Sequence, residues 1–389
     1  MRLALACAAF ALALITQSFS FQAQLPTQPQ SGGKKMGSQL SRTSERERYG
    51  LRGLVKSCLE ERSDPETPNT PAGVNRKYSY KTEYDLEGRQ IEMHSYNSDG
   101  SEWVNRNVYD DSGRLLKTIS GNKGAPSAET VYSYDNHAKL VRITKNGSPD
   151  NPIAFRYDEA GRKTKVQISR AADYRPNVGF VPGSEFDAVE APPTLPGGGT
   201  TTTIYDDLDR PVEVQTRDSQ GELVSRSLRT YDEQGRVLDE KQVLPTPETL
   251  IPAEMRSKIL EESGASTEQL REHLTKLMGG QAGPTSMHYT YGKDGQVKQT
   301  VRRIFNEEET IDATYNEHGD KEKEITRTKL VGGDTENGTA PARLPYSEVR
   351  YSYDYDTHGN WTRQTISYRN SEDGAFQPST ETRREIDYY

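Results

Sequence analysis

The sequence predicts an all-β chain, one long antiparallel β-meander of hairpin repeats, curled or shell-like, interrupted by one inserted helical hairpin. Three observations carry the prediction. A Tyr-Asp-x-x-Gly-Arg pattern returns nine times in 389 residues. Around each copy, apolar and polar residues alternate with the period of a strand. The composition is too thin for a thick core, with a hydrophobic fraction of 32% and a mean hydropathy of −0.91, yet its 22 tyrosines argue against disorder.

Residues 1–20 read as an export signal: Arg2 supplies charge, Leu3 to Ile15 is an apolar run too short to span a bilayer, and Ser18 to Ser20 offers small residues for cleavage. Residues 21–45 are a Gln/Pro/Ser/Gly-rich disordered tether, and residues 46–389 form the β-domain. With Cys7 inside the signal, Cys58 is the only cysteine of the processed chain. It is expected on the first strand as a small buried side chain. An exported chain without an internal disulfide fits a periplasmic, cell-surface or secreted protein, with no transmembrane span after signal removal. The net charge of −8 comes from 50 basic and 58 acidic residues mixed along the chain, so nucleic acid is disfavoured as a partner.

The copies begin with Tyr84, Asp85, Gly88 and Arg89, and continue with Tyr109, Asp110, Gly113 and Arg114. The third has Tyr134 and Asp135, with Ala138 in the glycine slot; the fourth has Tyr157, Asp158, Gly161 and Arg162. The fifth has Tyr205, Asp206 and Arg210, and the sixth Tyr231, Asp232, Gly235 and Arg236. The last three keep less of the pattern: Tyr291 and Gly295, Tyr315 and Gly319, then Tyr355, Asp356 and Gly359. Counting the tyrosine as position 0, Asp or Asn at +1 suits the start of a type I turn and Gly at +4 its end. A four-residue loop predicts that 0 pairs with +5, −2 with +7 and −4 with +9, all on one face. Tyr132 and Tyr134 are then expected opposite Val141 and Lys139. Apolar residues at +7 (Ile91, Leu116, Val141, Val212, Leu238) and +9 (Met93, Ile143, Val166, Val214) agree with that face. Arg at +5 is expected to stack on the tyrosine of its own copy. Turns such as Asn97 to Gly100, Gly121 to Gly124 and Asp218 to Gly221 close the opposite edge, giving about 18 strands. The final three copies lose the basic residue and should be less regular or differently covered. Residues 171–199 and Gly332 to Pro345 read as loops. Residues 252–280 carry helix start and stop signals twice, with Leu270, Leu274 and Leu277 as a stripe.

These copies resemble YD repeats, the unit of RHS-type and YD-repeat proteins, over the chain from about Tyr49, where Tyr49 to Val55 reads as a degenerate leading copy. The resemblance implies an exported, β-rich protein; large relatives spiral into a shell around a cargo polypeptide, and carbohydrate or cell-surface binding has been proposed for others. No Asp-Pro-x-Gly boundary or C-terminal toxin segment follows here, which sets this short chain apart from the large toxins.

The sequence offers no catalytic, cofactor-binding or metal-ligating constellation. His137, His318 and His358 share position +3, where turn polarity competes with a metal ladder. Asp354 to Gly359 begins like a calcium loop, but His358 and Thr365 stand where acidic or amide ligands belong. Asp110-Asp111, Asp206-Asp207 and Glu307 to Glu309 could supply a glycosidase pair, against the simpler reading as solvated turn acids. Asn146, Asn337 and Asn360 fit the glycosylation pattern. An enzyme would place buried acids near Glu261, Glu262 or His273, in a cleft under the helical insertion. The expectation is a non-enzymatic exported scaffold or binding protein, with carbohydrate or another envelope protein as partner and no cofactor. The alternative is a shell or chaperone component of an RHS-like toxin or polymorphic secretion system.

Overall fold

The computed structural model describes residues 44–63, 77–97, 99–145, 148–170, 199–244, 247–251, 253–277, 285–305, 307–331 and 346–389. The signal, most of the tether, the loops at 171–198 and 332–345, and the Asn146 and Asn337 motifs lie outside the described residues. The chain is a meander of 20 antiparallel strands in one sheet. Nine motif hairpins account for 18 of them, from β2 (Lys77–Tyr84) and β3 (Gln90–Tyr96) to β18 (Tyr346–Tyr355) and β19 (Trp361–Arg369). The two additional strands are the first and last, β1 (Val55–Ser63) and β20 (Gln377–Tyr388). Each strand packs on its neighbours along the chain, and β1 pairs with both β2 and β20, so the sheet closes on itself as a ring. Closure removes the two edges that an open sheet of this length would expose.

The face assignments hold away from the turn, at −4, −2, 0 and +9, but not at +7, and the register does not hold. Tyr84 pairs with Gln90, Glu83 with Glu92 and Thr82 with Met93, so 0 meets +6, −1 meets +8 and −2 meets +9. Tyr134 likewise meets Leu140 and Tyr132 meets Ile143, rather than Lys139 and Val141. Two local features cause the offset. Gly88 N–H donates to Asp85 C=O while Asp85 N–H donates to Arg89 C=O, so the loop is a type I turn followed by a left-handed glycine at φ 81°. A bulge then follows at every tyrosine. Beyond the bulge the partner is shifted by two residues, so −2 and +9 share the expected face; at the bulge itself +6 joins the tyrosine face, where Leu140 packs with Tyr132 and Ile143, and Leu116 at +7 is left exposed.

The ring has unequal faces. Small polar residues on the tyrosine face are nearly inaccessible in mid-strand, including Asn105, Thr118, Thr203, Thr216 and Thr382, all at 6% exposure or less. Such crowding marks the concave side of the ring. On the opposite, convex face the side chains of Arg106, Arg226, Lys329 and Arg383 are 37 to 66% exposed. The apolar core is correspondingly small: Leu51, Val55, Cys58 and Tyr84 form one cluster, and Tyr132, Leu140 and Ile143 another.

All motif turns lie on one rim. The longer connections all join strands at the other rim, including the segment between β13 (Val237–Val243) and β14 (Thr285–Tyr291). There the chain forms a 3₁₀ turn (Pro247–Leu250) and two helices, Ala253–Ser263 and Thr267–Leu277. Arg271 reaches from the second helix to Glu248 of the turn at 2.6 Å, and Leu270 is buried beside it. At the motif rim, residues Ser44 to Arg48 fold earlier than the tether boundary at residue 45 anticipated. Ser44 and Glu47 form a capping box on a single helical turn, α1 (Glu45–Arg48), and Arg46 N–H donates to Gly88 C=O.

Candidate functional site: the stacked rim

The most repeated chemistry in the molecule is the motif rim. Aspartate at +1 accepts the backbone N–H of residue +5, as Asp85 does from Arg89 at 2.8 Å and Asp110 from Arg114 at 2.9 Å. Its other oxygen takes the arginine Nε at 2.6 to 2.7 Å in the first, second, fourth, fifth and sixth copies. This double use explains why Asp and Arg stand four residues apart. Backbone N–H donation from Arg114, Lys139 and Arg162 pulls Asp110, Asp135 and Asp158 below the usual carboxylate range.

The arginine, thus fixed, does not cover its own tyrosine. In four copies it covers the tyrosine of the next: Arg89 lies 5.0 Å from the Tyr109 ring centre, Arg114 5.2 Å from Tyr134, Arg210 4.5 Å from Tyr231 and Arg236 4.2 Å from Tyr291, while Tyr205 is covered by Lys163 at 4.9 Å. The own-copy stack is corrected by the lateral stagger of the ring, which carries each turn over its neighbour. The hydroxyls of Tyr109, Tyr134, Tyr157, Tyr231, Tyr291 and Tyr315 then donate to the carbonyl at +6 of the preceding copy, as Tyr134 does to Leu115 at 2.8 Å and Tyr231 to Pro211 at 2.6 Å, whereas Tyr355 donates to the Asp320 carboxylate. The ring is sandwiched: a cation above and a backbone bond at its tip.

Of the two expectations for the last three copies, different covering is what the structure has. Their turns and bulges repeat those of the first six, and the stack continues with other residues. Lys298 covers Tyr315 at 4.9 Å, His318 stacks on Tyr355 at 4.0 Å and His358 on Tyr388 at 4.1 Å. Two of the histidines at +3, His318 and His358, therefore serve as stacking groups. His137 N–H donates to Asp135, as the turn requires. Among the described residues no three His, Cys, Asp or Glu side chains converge on a metal position.

The remaining sequence candidates separate. Asp356, in the calcium-like stretch, accepts the N–H groups of His358 and Asn360 and the hydroxyl of Tyr388. Asn360 is 1% exposed with its amide fully engaged, so the folded chain does not present it for glycosylation. Cys58 is buried on β1, and burial pushes its thiol up to about 11. Glu261, Glu262 and His273 are all exposed, which counts against their forming the buried acids of a cleft under the helices. Glu307 is exposed at a strand start, while Glu308 pairs with Arg303 and Lys329, and Glu309 with Arg302.

One convex-face group escaped the sequence. Glu348 is 2% exposed, bonded by Arg369, Arg350 and Tyr346; burial pushes its carboxyl up, but these donors outweigh it and hold it at about 2. Arg350 and Arg369 both stack on Phe376. The partners sit on two strands and the turn that follows them, so no single short window of sequence displays the cluster.

No protein-family model matches the chain, and no curated protein matches it. Among solved structures, a porin-like protein of Bacteroides uniformis aligns over 86% of this chain and 99% of its own, at 9% identity and a TM-score of 0.34. A porin-like protein of Bacteroides vulgatus aligns over 85% and 97%, at 11% identity and a TM-score of 0.16. The MucA/MucB complex of Pseudomonas aeruginosa aligns over 85% and 89%, at 9% identity and a TM-score of 0.11. Likeness at this level assigns the chain to none of them.

Proposed function

We propose that the chain is an exported, non-enzymatic YD-repeat scaffold, a ring with water on its outside that presents its sheet to a carbohydrate or protein partner in the cell envelope. The observation that supports it is the charge on the convex face. Glu92 pairs with Arg106, Lys117 with Glu129, Glu213 with Arg226, Arg303 with Glu308 and Asp312 with Arg327, in the middle of strands around the ring. A barrel seated in lipid needs an outward apolar band, and each Arg or Lys at mid-bilayer costs about 2 to 4 kcal/mol. The concave face adds hydroxyls and aromatic edges, with Tyr353 5.8 Å from Tyr355 and 6.3 Å from Trp361, the side-chain types that stack on sugar rings.

Two measurements on the purified chain test the reading. In vesicle flotation it stays with the aqueous fractions, and on a glycan array or in an envelope pull-down it retains a partner. Protease-protected insertion into the vesicles would sink the water-facing scaffold, as would substrate turnover combined with an empty binding screen. A second reading, a shell or chaperone part of an RHS-type system, is favoured by closure of the ring on itself. An adjacent toxin-immunity cassette in the genome supports that reading, and an isolated gene counts against it.

A further inference from the structure

Nine of the ten strand-to-strand junctions on the motif rim are covalent turns; the tenth lies between β20 and β1, at opposite ends of the chain. We infer that the two ends assemble a split tenth copy of the motif, and that this seam is the clasp at which the ring opens.

The correspondence runs position by position. Tyr388 pairs with Val55, Asp387 with Ser57 and Ile386 with Cys58. With Tyr388 as position 0, Val55 becomes +6, Ser57 +8 and Cys58 +9, which is the offset found in every covalent copy. The bulge falls in the same place. Tyr389, at +1, donates its N–H to the carbonyl of Leu54, at +5, at 3.0 Å, as Asp85 does to Arg89. Gly53, at +4, holds φ 79°, the left-handed value of the covalent turns. Leu51 and Arg52 fill +2 and +3, so the count closes with no residue missing or spare. The glycine belongs to the stretch that reads as a degenerate leading copy, but its tyrosine is Tyr388 from the far end of the chain, not Tyr49.

The lateral contacts agree. Tyr388 receives the His358 ring as Tyr355 receives His318, and its hydroxyl lies between the +1 and +5 side chains of the preceding copy, donating to Asp356 and accepting from Asn360, as that of Tyr355 donates to Asp320 and accepts from Asn316. In the seventh copy the amide at +5, Gln296, reaches the next turn at Gly319 C=O, 3.1 Å away. In the ninth, the amide at +5 is Asn360; its Nδ2 donates to Arg52 C=O at 2.8 Å and its Oδ1 accepts Arg52 N–H at 2.6 Å. Arg52 in turn donates to the carbonyls of Gly359 and His318. Asn360 therefore holds the N-terminal half of the split copy and, through the Tyr388 hydroxyl at 2.7 Å, the C-terminal half.

Every other join in the ring is bridged by chain at one rim. The seam is held by noncovalent contacts alone, so a sub-global opening concentrates there. Hydrogen exchange on the full chain, followed by mass spectrometry, tests this. Asn360→Ala is expected to speed exchange in residues 55–63 and 377–388 by about tenfold or more, with residues 102–122 unchanged. Gly53→Ala, which strains the left-handed position but meets only ordinary contacts from His358 and Tyr388, is expected to give the same pattern more weakly. If Asn360→Ala does not fold, Gly53→Ala decides. Acceleration spread evenly over the ring, or no acceleration at the seam in a folded variant, overturns the inference.

Discussion

Ala138 and Asp209 place a side chain in the left-handed glycine slot of the motif, and of the two Ala138 has no polar group of its own to offset the strain. The third copy keeps the turn bonds of its neighbours, Ala138 N–H to Asp135 C=O at 3.0 Å, but places a Cβ in the left-handed region at φ 60°. The irregular loop that the missing glycine suggests does not form, because two backbone bonds and the flanking bulge over-determine the turn. A Cβ there costs about 1 to 2 kcal/mol. Ala138→Gly is therefore expected to raise stability by about 1 kcal/mol in denaturant unfolding, part of the relief being lost to the freedom glycine gains when unfolded. The turn aspartates give a second residue-scale expectation. Asp110, Asp135 and Asp158 have folded values below the ordinary 3.8, chiefly through the backbone N–H at +5. A depressed carboxylate contributes stability that is present above its unfolded value and lost as pH falls through the folded one. The melting temperature should thus fall as pH drops below about 3.8, and the triple Asn variant at these positions should show a shallower acid-side drop; an unchanged slope in that variant would refute the assignment.

At the scale of the element, the hairpin is where the sequence was most legible and where its silence is clearest. The alternation at −4, −2, 0 and +9 marked the concave face, because burial on one side of a strand selects residue type with period two; +7 falls in the bulge and broke the pattern. It could not reveal the two-residue offset: a shift of two preserves parity, so Met93 and Thr82 occupy the same face whether or not they are partners. The stack on the next tyrosine was hidden for a related reason, since one spacing of Arg89 is compatible with Tyr84 or Tyr109 until the stagger of the sheet is known. Glycine positions allow the element to be tested. A Cβ on Gly88 would lie 2.8 Å from the Ser44 Cβ, whereas one on Gly100, at the same φ of 81°, meets nothing within 4 Å. Gly100→Ala should cost about 1 to 2 kcal/mol from backbone strain alone. Gly88→Ala should cost more and also loosen Ser44 to Arg48, seen as faster exchange of the Arg46 amide, which is bonded to Gly88 C=O.

For the whole molecule, the decisive contrast is between local and distant pairing. Along the meander each strand pairs with the strand just before and just after it, while β1 and β20 bring residues 55–63 against residues 381–388. Ring closure was invisible in the sequence because its motif is divided: Gly53 without its tyrosine and Tyr388 without its glycine each look like unremarkable ends. Closing a loop of this length carries an entropy cost that hairpin formation does not, so the local pairs form first and the seam last. Interactions absent from the folding transition state act on unfolding alone. Asn360→Ala is therefore expected to accelerate unfolding while leaving the main refolding rate within about twofold of the parent, since its bonds to Arg52 and Tyr388 form after the barrier. Gly113→Ala, inside a covalent turn at φ 81°, should instead slow refolding, because that turn must close before its hairpin can extend. Stopped-flow unfolding and refolding of the two variants separates the cases, and a refolding rate depressed equally by both would mean that the ring closes before the meander is complete.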